Sequence, residues 1–180
     1  EKKVILARDH FGVKPLYYYK GNSDFIFASE IKAMLAHPRV LRKLDDEGAL
    51  ELLMMRYSFG PRTVIDGLSK VLPGQCVQYD LKKQSISSEL FFRLEIQPIF
   101  PSFDDAKSKL SELLSDAVGR QLVSDVPVGV MLSGGVDSGV ICGLAAQKKA
   151  NIKTFSIGFK DESSNEFSRA RIIAEKFGTE

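Results

Sequence analysis

The stretch VGVMLSGGVDSGV, residues 128–140, decides the fold of the C-terminal half of this chain. An apolar segment breaks at Ser-Gly-Gly, passes through Asp137-Ser138 and becomes apolar again, which reads as a buried strand, a tight turn and a helix. Working outward, VPVGVML (126–132) is the strand and SGVICGLAAQKK (138–149) the helix; IKTFSIGF (152–159) is a second strand, followed by a polar loop and a helix near EFSRARIIAEKF (166–177). Strand, helix, strand, helix predicts an α/β unit built on a parallel sheet with a right-handed crossover. Continuous apolar strands such as VGVML are expected to be covered by helices on both faces. Upstream, Ser102 and Asp105 form an S-x-x-D helix start. Ala106, Leu110, Leu113, Leu114, Ala117, Val118 and Leu122 then recur at helical spacing, so one stripe is expected to face a core.

Ligands of open α/β sheets sit beyond the carboxyl ends of the strands, where loop amides and the next helix N-terminus converge on an anion. Residues 133–138 lie at that point. Gly134 and Gly135 lack Cβ atoms, so the chain can bend sharply and phosphate oxygens can approach the amides; the hydroxyls of Ser133 and Ser138 add donors. Asp137 conflicts with a bare anion, because a carboxylate about 4 Å from a phosphate charge costs on the order of 4 kcal/mol at an effective dielectric near 20. A bridging Mg²⁺ reverses the sign, since it binds carboxylate and phosphate oxygens together. Asp137 therefore argues for a metal nucleotide.

Competing readings of the loop are weaker. A Walker A loop needs G-x-x-x-x-G-K-[ST], and no lysine lies between Ser133 and Ser138. A nucleophile elbow needs Gly two residues before Ser133, where Met131 stands, and both histidines, His10 and His37, precede the serine, against the elbow's triad order. A plain strand-to-helix turn would explain Gly-Gly and a capping Asp, but not the whole Ser-Gly-Gly-x-Asp-Ser string.

The N-terminal half follows a different pattern. KKVILARD (2–9), KPLYYYK (14–20) and DFIFAS (24–29) are β-rich segments broken at Gly12, Pro15 and GNSD, as antiparallel strands with tight turns would be. Ser29 is placed as N-cap of a short helix EIKAMLAH ended by Pro38, and a second helix is expected at DDEGALELLMMRY (45–57) despite Gly48. The LLMM run, 52–55, reads as helix core. Pro73-Gly74 reads as a type II turn, with Val77 and Tyr79 alternating after it. This half is expected to be α+β and mostly antiparallel. The uncharged, two-proline stretch IQPIFPSF (96–103) marks the boundary, giving domains 1–100 and 101–180.

Composition narrows the class further. The 180 residues are 44% hydrophobic and 27% charged, globular material for one domain or parts of two. Twenty-five Lys+Arg against 23 Asp+Glu leave +2 without a basic block, so no nucleic-acid partner is expected. No apolar run approaches the roughly 18 residues of a membrane span, so a soluble, cytoplasmic protein without a membrane partner is expected. Cys76 and Cys142 match no CxxC spacing and read as reduced core thiols. The start at Glu1 and the stop just after a helical pattern read as an internal fragment of a longer protein.

LSGGVDS resembles the pyrophosphate-binding loop of the PP-loop ATP pyrophosphatases. SDVPVGVMLSGGVDSG, KTFSIGF and RIIAEKFGTE are similar to the start of the synthetase domain of the glutamine-hydrolysing asparagine synthetases. LARDHFGVKPLYYY, FASEIKAML and VLPGQ resemble the late part of the class II glutamine amidotransferase domain, of N-terminal-nucleophile type, that precedes it. The resemblance covers nearly the whole chain in the expected order. It implies that Ser133, Gly134, Gly135, Asp137 and Ser138 contact the nucleotide phosphates, with Asp137 as Mg²⁺ ligand, and that Leu132 and Ile157 lie against the nucleotide. For both residues ordinary strand core is a compatible reading. Glu166 matches an acidic family position, but Ser163 and Glu166 also spell an S-x-x-E capping box, which is the preferred reading. Arg8 and Asp9 fit the family's ARD, where a structural charge and a direct role remain open; His10 reads as a solvated turn residue.

The implied activity is an ATP-dependent, glutamine-hydrolysing amide ligase that activates a carboxylate, aspartate by family expectation, as an acyl-adenylate with release of AMP and pyrophosphate. Its cofactors would be ATP and Mg²⁺ and its small-molecule partners glutamine, ATP and aspartate; the reading leaves room for a homo-oligomer. Alternatives are an amidotransferase of the same architecture acting on a sugar acid or β-amino acid precursor, and a non-catalytic nucleotide-binding relic. A tRNA-thiolating PP-loop enzyme is disfavoured by the missing dithiol spacing. The sequence departs from the family at Gly139, where a second serine is common, and at Phe91-Phe92, where the aromatic pair often ends in Trp. The family's Cys nucleophile would precede Glu1 and its acceptor-recognising segments would follow Glu180, so no catalytic residue is expected within these residues.

Overall fold

Three consecutive tyrosines show how the first half is layered. In a strand, successive side chains point to opposite faces; Tyr18 packs with Leu6, Val71 and Val77, while Tyr17 and Tyr19 pack with Met34, Val40 and Leu68. The computed structural model describes residues 2–97, 102–158 and 166–180, and the chain divides into two units, Glu1–Ile96 and Gln97–Glu180. The first unit contains β1 (Lys3–Ala7), β2 (Tyr17–Lys20), β3 (Phe25–Ala28), α1 (Ile31–Leu35), α2 (Asp46–Met55), β4 (Leu68–Lys70), β5 (Gln75–Asp80) and β6 (Ser85–Leu90). Two antiparallel three-stranded sheets result, β1-β5-β6 and β3-β2-β4. Their facing sides share one core, in which the rings of Phe25 and Tyr79 stack with centroids 4.4 Å apart. The outer face of β3-β2-β4 carries the second core under α1.

Local readings in this unit hold with adjustments. Val77 and Tyr79 are buried. Pro73-Gly74 forms the expected turn, with Gly74 at φ +65° and Gln75 N–H donating to the Leu72 carbonyl at 3.1 Å. The first helix is capped at Glu30 rather than Ser29, without a side-chain hydrogen bond, and ends at Leu35. In α2, Asp45 is the N-cap and accepts from Gly48 N–H at 2.7 Å. The LLMM run is not core: Leu53 is 82% exposed and Met54 71%. His10 is not merely a solvated turn residue, because it meets Phe91 and Phe92 edge-on, the latter at 4.7 Å between centroids.

The second unit contains α3 (Phe103–Gln121), β7 (Gly129–Met131), α4 (Val136–Lys148), β8 (Lys153–Phe155) and α5 (Phe167–Phe177). Ser102 caps α3 as predicted, accepting from Asp105 N–H at 3.2 Å. Strands β7 and β8 pair in parallel. On the other edge of β8, Glu180 N–H donates to the Ile152 carbonyl and Thr154 N–H to the Glu180 carbonyl, a further rung of parallel type. Val118, Val130, Leu132, Cys142, Ala145, Ile152 and Ala170 form the core. Two expectations fail here. The α3 stripe is buried only toward its C-terminal end at Val118, with Leu110 and Leu113 more than half exposed, because the other elements of the unit pack only against that end. Strand β7 is not buried on both faces, since Met131 is 60% exposed while Val130 is buried. Both cysteines are free thiols; Cys142 is fully buried, which pushes its pKa up, and Cys76 is partly buried. No helix among the described residues is long and apolar enough to cross a membrane.

Candidate functional site

At the carboxyl ends of β7 and β8 lies a cavity of about 340 Å³. Met131, Leu132 and Ser133 line it from one strand, Phe155, Ser156 and Ile157 from the other, and Glu166 closes it from the start of α5. Of the residues singled out in the sequence, the cavity therefore gathers Leu132, Ser133, Ile157 and Glu166. Ile157 is not strand core, because β8 ends at Phe155 and Ile157 stands 72% exposed. Leu132 is only 2% exposed, and its backbone is already engaged: its N–H donates to the Phe155 carbonyl at 2.8 Å and its carbonyl accepts from Ser156 Oγ at 2.6 Å. Phe155 and Ser156 were not singled out in the sequence, although their place just before Ile157 was the available signal.

Ser133 joins the cavity to the glycine turn. Its Oγ lies 3.0 Å from Ser138 Oγ and accepts from Gly135 N–H at 3.4 Å, while Ser138 Oγ also donates to the Gly135 carbonyl at 3.2 Å. The two glycines do different work. Gly134 has φ +81°, and a Cβ there would lie 2.8 Å from Arg169 Cβ and 2.9 Å from Ala170 N, so this position bends the chain and lets α5 close on it. Gly135 is the N-cap of α4, and a Cβ there would meet only Ser133 Oγ at 3.5 Å, which leaves its approach side open. With no side chain capping α4, the N–H groups of Val136, Asp137 and Ser138 have no acceptor within the helix.

Asp137 stands in the first turn of α4, exposed and outside the lining of the cavity. A carboxylate there is favoured by the positive end of the helix. Among the described residues no three carboxylate, His or Cys groups cluster as a self-sufficient metal site. A lone carboxylate beside uncapped helix-start amides is a donor set that fits Mg²⁺ where substrate phosphates and water complete its shell. The capping-box reading of Glu166 is corrected: Ser163 lies outside the described residues, and Glu166 is itself the N-cap of α5, without a side-chain bond, rather than its third residue. Gly139 faces Ile173, whose Cδ1 would lie 3.1 Å from an added Cβ, so the departure from serine accommodates α5.

Both halves of the chain match known proteins. The profile of the family described as asparagine synthase matches residues 109–180, and that of the glutamine amidotransferase domain matches residues 1–91. The glutamine-hydrolysing asparagine synthetase 3 of Bacillus subtilis is 38% identical over 169 residues, 89% of this chain and 27% of that protein. Asparagine synthetase 1 of the same organism is 32% identical over 175 residues, 97% of this chain and again 27% of the relative. The chain thus spans about a quarter of the length of these relatives. With both profiles matched in order along one chain, it belongs to the family of glutamine-hydrolysing asparagine synthetases.

Proposed function

We propose that these residues are part of a cytoplasmic, ATP-dependent amide ligase that takes its nitrogen from glutamine, with residues 1–100 the late part of the amidotransferase domain and 101–180 the start of a PP-loop synthetase domain with a parallel sheet. The observation that carries the reading is the cavity at the carboxyl ends of β7 and β8, joined through Ser133 to the open amides at the start of α4. Leu132 and Ile157 flank the nucleoside. Ser133, Gly134, Gly135 and Ser138 hold the phosphates through backbone N–H groups and hydroxyls, and Asp137 would hold Mg²⁺. When bound, the cation neutralises charge on the phosphate oxygens.

The acceptor carboxylate, which we take to be aspartate, attacks the α-phosphorus and pyrophosphate leaves; ammonia released from glutamine then displaces AMP. None of the loop groups has to act as a base, because orienting the phosphates and offsetting their charge lower the barrier. In the complete gene product, Asp137→Ala is expected to lower aspartate-dependent ATP/pyrophosphate exchange about 100-fold or more while glutamine hydrolysis stays within about twofold. Exchange at the wild-type rate would remove the metal-ligand role, and exchange supported by another carboxylic acid but not by aspartate would reassign the acceptor.

A further inference from the structure

The hydrogen bonds at the ends of β7 and β8 depart from the pattern that precedes them. In a parallel ladder the bonds advance in equal steps along both strands. Leu132 N–H donating to the Phe155 carbonyl is one such step in the register that pairs Met131 with Phe155. The next would be Ile157 N–H donating to the Leu132 carbonyl. That bond is not formed, and the carbonyl accepts instead from the Ser156 hydroxyl at 2.6 Å, within the range of an O–H···O bond. Beyond this point β8 has ended, and Ile157 lies in the wall of the cavity.

We propose that Ser156 is a positioning residue of the nucleotide site: by occupying the Leu132 carbonyl it stops the ladder one step early and leaves the Ile157 N–H, in the cavity wall, free to donate to a nucleobase acceptor. The proposal rests on the nucleotide reading above and adds the side chain that prepares the base-binding end of the cavity. Ser156 itself touches no reacting atom. A serine fits because its hydroxyl reaches a carbonyl on the neighbouring strand while its small side chain leaves the cavity unfilled. With alanine at this position, the Leu132 carbonyl is released and the Ile157 N–H becomes its natural partner, so the ladder extends and the donor is lost to the ligand.

The test uses the complete gene product and the KM for MgATP in ATP/pyrophosphate exchange. Ser156→Ala is expected to raise that KM about five- to tenfold, the loss of one hydrogen bond to the base, with kcat within about twofold. Ser156→Thr, which keeps the hydroxyl, should restore KM to within about twofold of wild type. A purely structural role would instead lower kcat or thermal stability without this split. Should the wild type bind MgATP calorimetrically and Ser156→Ala bind it equally well, the role of Ser156 is overturned while the nucleotide site stands; should the wild type not bind MgATP, both fall. A second measurement needs no variant. The Ile157 amide should exchange with solvent rapidly in the free protein and slowly with MgATP, and protection without nucleotide would mean that the ladder already runs through Ile157.

Discussion

Asp9 accepts hydrogen bonds from the backbone N–H groups of Lys14, Val13 and Phe11 at 3.1, 2.9 and 3.2 Å, and these bonds, led by that from Lys14, hold its carboxyl below the ordinary range. Its neighbour Arg8 donates to the carbonyls of Lys14, Val71 and Gly12. The two adjacent charges, for which the sequence left a structural and a direct role open, are thus engaged in shaping the 9–14 turn. Because the folded pKa of Asp9 is lowered, its contribution to stability is fully present above the unfolded carboxylate value near 4 and is lost as pH falls through the lower folded value. Thermal melts of wild type and Asp9→Asn should therefore differ most at pH 6 and converge toward pH 2.5; a gap that stays constant with pH would show that the charge is not what holds the turn. Gly134 and Gly135 teach a related lesson. The sequence reads both alike, as a phosphate-loop pair, yet α5 leaves no room for a Cβ at Gly134 while a Cβ at Gly135 would meet only Ser133 Oγ, a distinction that depends on what packs beside each.

At the scale of elements, the boundaries of α2 and α3 were close to legible because capping is local: Asp45 and Ser102 bond to N–H groups three residues on. Which face each helix buries was less so. Periodicity reports an apolar stripe, but burial needs a neighbour, and none of the packed core clusters includes Leu53 or Leu110. Gly48 shows the converse, a residue unfavourable by helix propensity and required by packing. A Cβ there would overlap the backbone carbonyl oxygen of Thr63, a residue fixed by its Oγ1, which donates to the Leu68 carbonyl and accepts from Ile65 N–H. Gly48→Ala gains about 1 kcal/mol of helix propensity and incurs about 1–3 kcal/mol of overlap against unyielding backbone. The balance is a destabilisation of up to about 2 kcal/mol, read in urea melts; a stabilised variant would show that α2 can shift away from Thr63.

For the whole molecule, the division at Ile96 and Gln97 gives nucleotide binding a local thermodynamic signature. A ligand that binds only the native state adds about 2.7 kcal/mol at a concentration of 100 Kd. If the site is the one between β7 and β8, hydrogen exchange should slow with MgATP at β7 and α4 and remain unchanged at β1 and β5; uniform slowing, or none, would place the site elsewhere. By itself the sequence determined the family, the strand, turn and helix around residues 128–148, the antiparallel character of the first half and the Ser102 cap of α3, since periodicity, turn chemistry and capping act over a few residues. Only the tertiary structure decided that Ile157 stands exposed in a cavity wall, that the Ser156 hydroxyl donates to the Leu132 carbonyl, that Gly134 and Gly139 make room for α5, and that the α2 run Leu52-Leu53-Met54-Met55 stays uncovered. Those outcomes depend on which distant segment arrives beside each residue, and spacing along one chain carries no record of it.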